Sequence, residues 1–108
     1  MIKVIVVDDH PVVRRGLKQI VEDEPDMKVA GEAKNAEECF SLVRKTDCTL
    51  VLLDITLPDR SGFDVLKQLK YEHPDLPILI LSVHPENQYG LRLIITLPKN
   101  WTVELGAC

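Results

Sequence analysis

The sequence predicts an α/β domain built on a mainly parallel sheet, and three observations carry that reading. Short apolar runs at Lys3–Val7, Thr49–Leu53 and Pro77–Val83 are too evenly apolar for strands with a wet face, so they read as strands buried on both sides. Stretches between them place apolar residues at helical spacing. The two kinds of element alternate, with no repeat, linker or low-complexity tract, which is the pattern of βαβ units covered by helices on both faces.

Lys3–Val7 is β-branched and forms the first strand, with Asp8, Asp9 and His10 directly after it. Pro11 suits the first turn of a helix, where its missing N–H is no loss. Val13, Leu17, Ile20 and Val21 then recur at helical spacing. That helix is expected to stop near Glu24–Pro25, because proline disfavours helix at the residue before it. Met27–Ala33 alternates apolar and polar residues and reads as a more exposed strand. Asn35, with Glu38 three positions later, has the form of an N-cap and its capping box. Ala36, Cys39, Phe40 and Val43 line one face of the helix that follows. Thr49–Leu53 is the third strand, and Ser61-Gly-Phe-Asp64 opens a helix with Phe63, Val65, Leu66 and Leu69 inward and His73–Pro74 at its end. Pro77–Val83 is the fourth strand, and Pro85–Leu93 reads as a further helix weakened by Gly90. The third and fourth strands carry the least polar content and belong in the sheet's interior.

A chain of 108 residues fits one domain with a real core, and 45% hydrophobic with 28% charged residues is an ordinary soluble balance. The net charge of −4 gives no support to nucleic-acid binding by these residues themselves. No apolar run is long enough to span a bilayer, and MIKVIVVDD meets acid too early for a secretory signal. Cys39, Cys48 and Cys108 are odd in number and lack metal-ligand spacing, so a reduced, cytoplasmic setting is expected, with Cys39 and Cys48 as small core residues.

In an open α/β sheet, ligands bind outside the carboxyl ends of the strands, where strand order reverses. The polar residues that interrupt the apolar runs stand at those ends. Asp8 and Asp9 follow the first strand, Asp54 ends the third and Ser82 ends the fourth. If the first and third strands are neighbours, three carboxylates meet on one rim, and their repulsion raises one pKa or demands a cation. Hard oxygen donors suit Mg²⁺, which shares substrate phosphate oxygens rather than filling an all-protein cage. A carboxylate also accepts phosphoryl groups covalently, with Mg²⁺ neutralising charge on the transferring group. Asp59 and Asp64 read as loop and first-turn carboxylates favoured by a helix dipole. His10 is placed to approach such a metal, but its loop position reads more as that of a bystander.

Val6–His10 (VVDDH), Leu52–Gly62 (LLDITLPDRSG) and Leu81–Val83 (LSV) together resemble the receiver domain of bacterial response regulators, the phospho-accepting half of two-component signalling. The resemblance covers roughly residues 2–92, and DDHPVVRRGL is further similar to the subgroup with a LuxR-type helix-turn-helix output. It implies a flavodoxin-like, doubly wound parallel sheet of order 2-1-3-4-5, with the fifth strand and last helix left open. It implies Asp54 as phospho-acceptor, Mg²⁺ held by Asp8, Asp9, Asp54 and the backbone carbonyl of Thr56, and Ser82 as the switch hydroxyl. A sensor histidine kinase is the implied donor. DNA would be reached only through an output domain absent from these residues. The chain itself would be a receiver and not an enzyme, apart from slow self-dephosphorylation.

The resemblance thins after residue 92. Where the family has a fifth-strand lysine against a phosphoryl oxygen, the spacing lands on Glu104, and Lys99 is the one lysine of the tail. Lys99 could take that contact if Leu93–Leu97 is the fifth strand. Residues 1–92 are therefore read as the receiver core and 93–108 as an atypical tail, whose uncovered sheet edge invites a homodimer or a strand-exchanged dimer. Two other functions compete: a pseudo-receiver that only binds partners, and a Mg²⁺-dependent phosphatase with an aspartyl-phosphate intermediate. Against the phosphatase, Thr56 stands where an enzyme of the haloacid-dehalogenase kind has its second aspartate.

Overall fold

The structure, a computed structural model, describes residues 1–84, 90–97 and 101–106, with side chains through Ile80. Its frame is four strands, β1 (Ile2–Val7), β2 (Met27–Ala33), β3 (Leu50–Asp54) and β4 (Ile78–His84), with α1 (Pro11–Glu22), α2 (Ala36–Lys45) and α3 (Gly62–Glu72) between them. β1 pairs with β2 on one side and β3 on the other, β3 pairs with β4, and all three pairings are parallel. The order 2-1-3-4 is that of a flavodoxin-like fold, and the chain reverses its direction of travel across the sheet between β1 and β3.

The hydrophobic pattern places these layers. Val4–Val7 and Val51–Leu53 are buried without a break, as strands covered on both faces must be. On one face, Ile5, Val7, Val51, Leu53, Ile78 and Ile80 pack with Cys39, Phe40 and Val43 of α2 and Val65 and Leu69 of α3. On the other face, Val4, Val6 and Leu52 pack with Val21 and Leu17 of α1. Burial pushes the Cys39 thiol up to about 12, so it behaves as a small apolar residue. The N-cap of α2 forms as expected, with Asn35 Oδ1 accepting the Glu38 amide at 2.8 Å, while Glu38 reaches back one residue further, to the Lys34 amide at 3.0 Å.

Three expectations are corrected. The helix over Pro85–Leu93 is not present over its second half, because Gly90–Leu97 forms strand β5; residues 85–89 lie outside the described residues. The fifth strand stands at its expected place beside β4 but runs antiparallel to it, from Gly90 opposite His84 to Thr96 opposite Ile78. Only residues 85–89 separate the two strands, too few for the crossover of about a dozen residues that a parallel return requires. An unforeseen β6 (Trp101–Gly106) then pairs antiparallel with β5 and gives the sheet order β2-β1-β3-β4-β5-β6. Finally, Ile20, part of the helically spaced apolar set of α1, and Phe63, assigned to an inward helix face, are 65% and 43% exposed.

Candidate functional site

The site is built from two loops at the carboxyl ends of β1 and β3. After β1, the Asp8 amide donates to the Ala33 carbonyl at 2.9 Å, which keeps the chain beside β2 for one more residue. The His10 amide donates back to Asp8 Oδ1 at 2.8 Å, a turn that fixes the carboxylate against its own backbone. Arg14, one turn into α1, donates to the Asp8 carbonyl at 2.8 Å while its Nε lies 3.3 Å from Glu32 on β2. Asp8 is buried, and its backbone is therefore held from both sides.

After β3, Asp54 is buried and its Oδ1 accepts the Thr56 amide at 3.2 Å. The loop closes on itself through a Thr56–Ser61 bridge and a 2.7 Å bond from the Gly62 amide to the Ile55 carbonyl. A Cβ at Gly62 would lie 2.5 Å from both the Asp54 carbonyl oxygen and Ile55 Cα, so no other residue fits without moving the acceptor strand. Asp59 secures the loop at a distance: its carboxylate accepts the Ala36 amide at 2.9 Å and the Glu37 amide at 3.3 Å. It thereby satisfies first-turn donors of α2 that Asn35 does not reach. Desolvation pulls the Asp59 carboxyl upward, but these amides outweigh it and hold it below the usual carboxylate range. Asp59→Ala is expected to cost about 1 kcal/mol of stability, the ordinary size of a lost helix cap, measurable by urea unfolding.

The two loops bring Asp8, Asp9, His10 and Asp54 together, with one donor atom from each within 4.8 Å of all the others. His10 Nδ1 lies 3.0 Å from Asp8 Oδ1, 3.0 Å from Asp9 Oδ1 and 3.9 Å from Asp54 Oδ2. Burial pushes the Asp54 carboxyl up to about 6; the Thr56 amide opposes this, and the charges of Asp8 and Asp9 add to it. The hydrogen bond to Asp8, followed by the charge of Asp9, raises the His10 pKa above its ordinary value. Asp9 Oδ1 is enclosed, and His10 Nδ1 at 3.0 Å is the polar atom beside it. Three carboxylates meeting on one rim make up a set of hard oxygen donors. The donor set present here fits a divalent ion.

Of the residues expected at the site, Asp8, Asp9 and Asp54 converge, and Thr56 sits in the acceptor loop with its amide on Asp54. The backbone of Ser82 follows Leu81, the residue paired with Asp54, so it stands on the adjacent strand at the same rim; its side chain lies outside the described residues. Lys99 lies outside the described residues altogether. His10, set aside in the sequence as a bystander, is in the cluster. Arg14 and Asp59 were missed as positioning residues, since each acts on a partner that nothing in the local pattern specifies.

Residues 4–96 match the response regulator receiver domain family. The chain belongs to that family. This receiver domain is 39% identical over 87 residues to the transcriptional regulatory protein YdfI of Bacillus subtilis, covering 81% of this chain and 40% of that one. It thus spans less than half the length of the curated relative. Among solved structures it is similar to a LuxR-family two-component response regulator from Aurantimonas sp. (34% identity, TM-score 0.72, 76% of this chain and 59% of the other). It is also similar to RcsB of Salmonella enterica serovar Typhimurium bound to the rprA promoter with the phosphomimetic BeF3⁻ (28% identity, TM-score 0.73, 78% and 71%). No helix among the described residues of the receiver domain is long and apolar enough to cross a membrane.

Proposed function

We propose that this receiver domain accepts a phosphoryl group on Asp54 from a phosphohistidine of a sensor kinase, and so controls a transcriptional output module. The observation that carries the reading is the convergence of three carboxylates on one rim, with Asp54 the one whose proton affinity is raised. An Asp54 carboxylate oxygen attacks phosphorus as the P–N bond breaks, and the departing imidazole nitrogen keeps the electron pair and takes a proton from solvent. Asp8, Asp9, Asp54 and the Thr56 carbonyl would hold Mg²⁺, which would supply positive charge against the transferring group. Arg14 and the His10 amide hold Asp8 for that task, and Gly62 and Asp59 hold the loop behind Asp54. Ser82 is the hydroxyl that responds to the new phosphoryl oxygen, biasing a pre-existing equilibrium of the rim. Lys99, the further candidate for a phosphoryl contact, lies outside the described residues, and the reading does not call on it. RcsB, a relative seen on promoter DNA with a phosphomimetic, supports the link to transcription. A second copy of the chain could pair along β6, the edge of the described sheet.

Incubation with acetyl phosphate and Mg²⁺, followed by intact-mass measurement, tests the proposal. One acid-labile phosphoryl adduct, absent in Asp54→Asn, is the expected result. Labelling elsewhere or none at all rules the reading out, the latter favouring a partner-binding pseudo-receiver. Sustained turnover of a phosphate ester would instead mark a phosphatase.

A further inference from the structure

Beyond β4 the sheet carries a two-sided pattern. In β5 (GLRLIITL) every second residue from Leu91 to Leu97 is apolar, and in β6 (WTVELG) the same holds from Trp101 to Leu105. The residues between them are Arg92, Ile94 and Thr96 in β5 and Thr102 and Glu104 in β6. Successive strand residues lie on opposite faces, so each strand has one apolar face and one largely polar face. The register puts the apolar faces on the same side: Leu93 is level with Leu105, Ile95 with Val103 and Leu97 with Trp101. Ile95 is in turn level with Leu79, and Leu79 with Leu52, so this is the side of the sheet on which α1 packs.

Helix α1 covers only part of that side. It packs on β1 and β2, and among the described residues no helix has more than a marginal contact with β5 or β6. The two faces of β4 differ accordingly. Ile78 and Ile80 are fully buried in the layer of α2 and α3, whereas Leu79 between them is only partly buried, although strands flank it on both sides. Three strands at a spacing of about 4.8 Å, each of about seven residues, give the uncovered face roughly 14 Å by 24 Å in plan. That reaches the few hundred Å² above which an open apolar patch marks an interaction site, and with its relief and rim it approaches the roughly 800 Å² per partner of a stable complex. The stretches of these 108 residues outside the described ones, 85–89, 98–100 and 107–108, are each too short to roof it.

We propose that this face of β4, β5 and β6 docks a second copy of the chain, the two sheets stacking face to face about a two-fold axis. A flat apolar sheet face is complementary to its own copy, two such faces pack about 10 Å apart, and an isologous contact closes at two chains. The charged residues of β5 and β6, Arg92 and Glu104, stand on the opposite face, so neither lies in the contact. The net charge of −4 disfavours an anionic membrane as the occupant. The surface is also distinct from the β6 edge, where pairing would extend the sheet instead of stacking it.

Analytical ultracentrifugation of the full chain over a range of concentrations tests the proposal. Wild type is expected to sediment at twice the chain mass at about 10 µM, the weak end for an interface of this size. Val103→Lys places a charge in the contact from each copy and is expected to weaken dimerisation about a hundredfold or more. Thr102→Lys, its neighbour on the opposite face, is expected to leave the dimer unchanged. Trp101, the one tryptophan, gives a readout in the unaltered protein: its emission is expected to move to the red on dilution, with the midpoint found by sedimentation. Should Val103→Lys fail to fold, that midpoint decides. A wild-type monomer at about 100 µM overturns the proposal. So does a dimer weakened equally by both lysines, or one whose dissociation leaves Trp101 emission unmoved. Open-ended oligomers overturn it in favour of pairing along the β6 edge, and a monomer that pellets with phosphatidylglycerol vesicles overturns it in favour of a membrane.

Discussion

Gly62→Ala is expected to destabilise the domain by about 2–3 kcal/mol, the range of an overpacked site with no free volume, and to slow phosphoryl uptake far more than its modest size suggests. The added methyl would meet backbone on two sides, the Asp54 carbonyl oxygen and Ile55 Cα, each at 2.5 Å. Backbone cannot rotate away as a side-chain tip can. Either the loop opens, losing the Gly62–Ile55 hydrogen bond, or the end of β3 shifts and carries Asp54 with it. Urea unfolding reads the first effect and labelling by acetyl phosphate reads the second. A Gly62→Ala protein with wild-type stability and labelling would show that the turn has slack absent from the structure.

Asp54→Asn is expected to act in the opposite sense on stability while abolishing labelling completely. The Asp54 carboxyl is buried beside two other carboxylates, and its affinity for a proton is raised to about 6. Neutralising it removes the cost of burying the charge and, secondarily, that repulsion at neutral pH, and we expect a gain of about 1–2 kcal/mol, discounted from the roughly 1.4 kcal/mol per pKa unit of an unscreened shift. The sign with pH follows. The folded chain binds the Asp54 proton more tightly than the unfolded chain, so stability of the metal-free protein falls as pH rises from about 4 to about 6. His10 acts in the same direction at higher pH, since its raised pKa contributes stability that is lost as pH climbs above its ordinary range. Asp54→Asn should flatten the acidic part of this profile. Thermal melts across pH 4–8 in chelator, for both proteins, provide the check.

How far the sequence foretold the molecule depended on the range of each cause. Asp8, Asp9 and Asp54 were legible because each ends an apolar run, and a strand end is a local property. The Asn35 cap on Glu38 was legible because its partners lie within one turn. Leu93–Leu97 was open as a fifth strand, but its start at Gly90 and its antiparallel direction were not legible, because a short apolar stretch fits helix or strand equally until the connection before it is measured. Ile20 and Phe63 have the spacing of inward residues, but periodicity does not say whether the neighbouring layer extends far enough to cover them. Asp59 has its partner 23 residues away, and His10 reaches Asp54 only once β1 and β3 are adjacent. Both are consequences of topology, which no local pattern contains.

The bond from Asp59 to the first amides of α2, with Arg60 stacked 5.6 Å above the Phe40 ring, gives the acceptor loop a mechanical link to a helix that never touches the carboxylates. A disturbance that begins at residue 54 is therefore expected to reach residues 36 and 37. Their amide resonances should shift on phosphorylation in step with those of the loop, so the start of α2 serves as a remote gauge of what has happened at the acceptor.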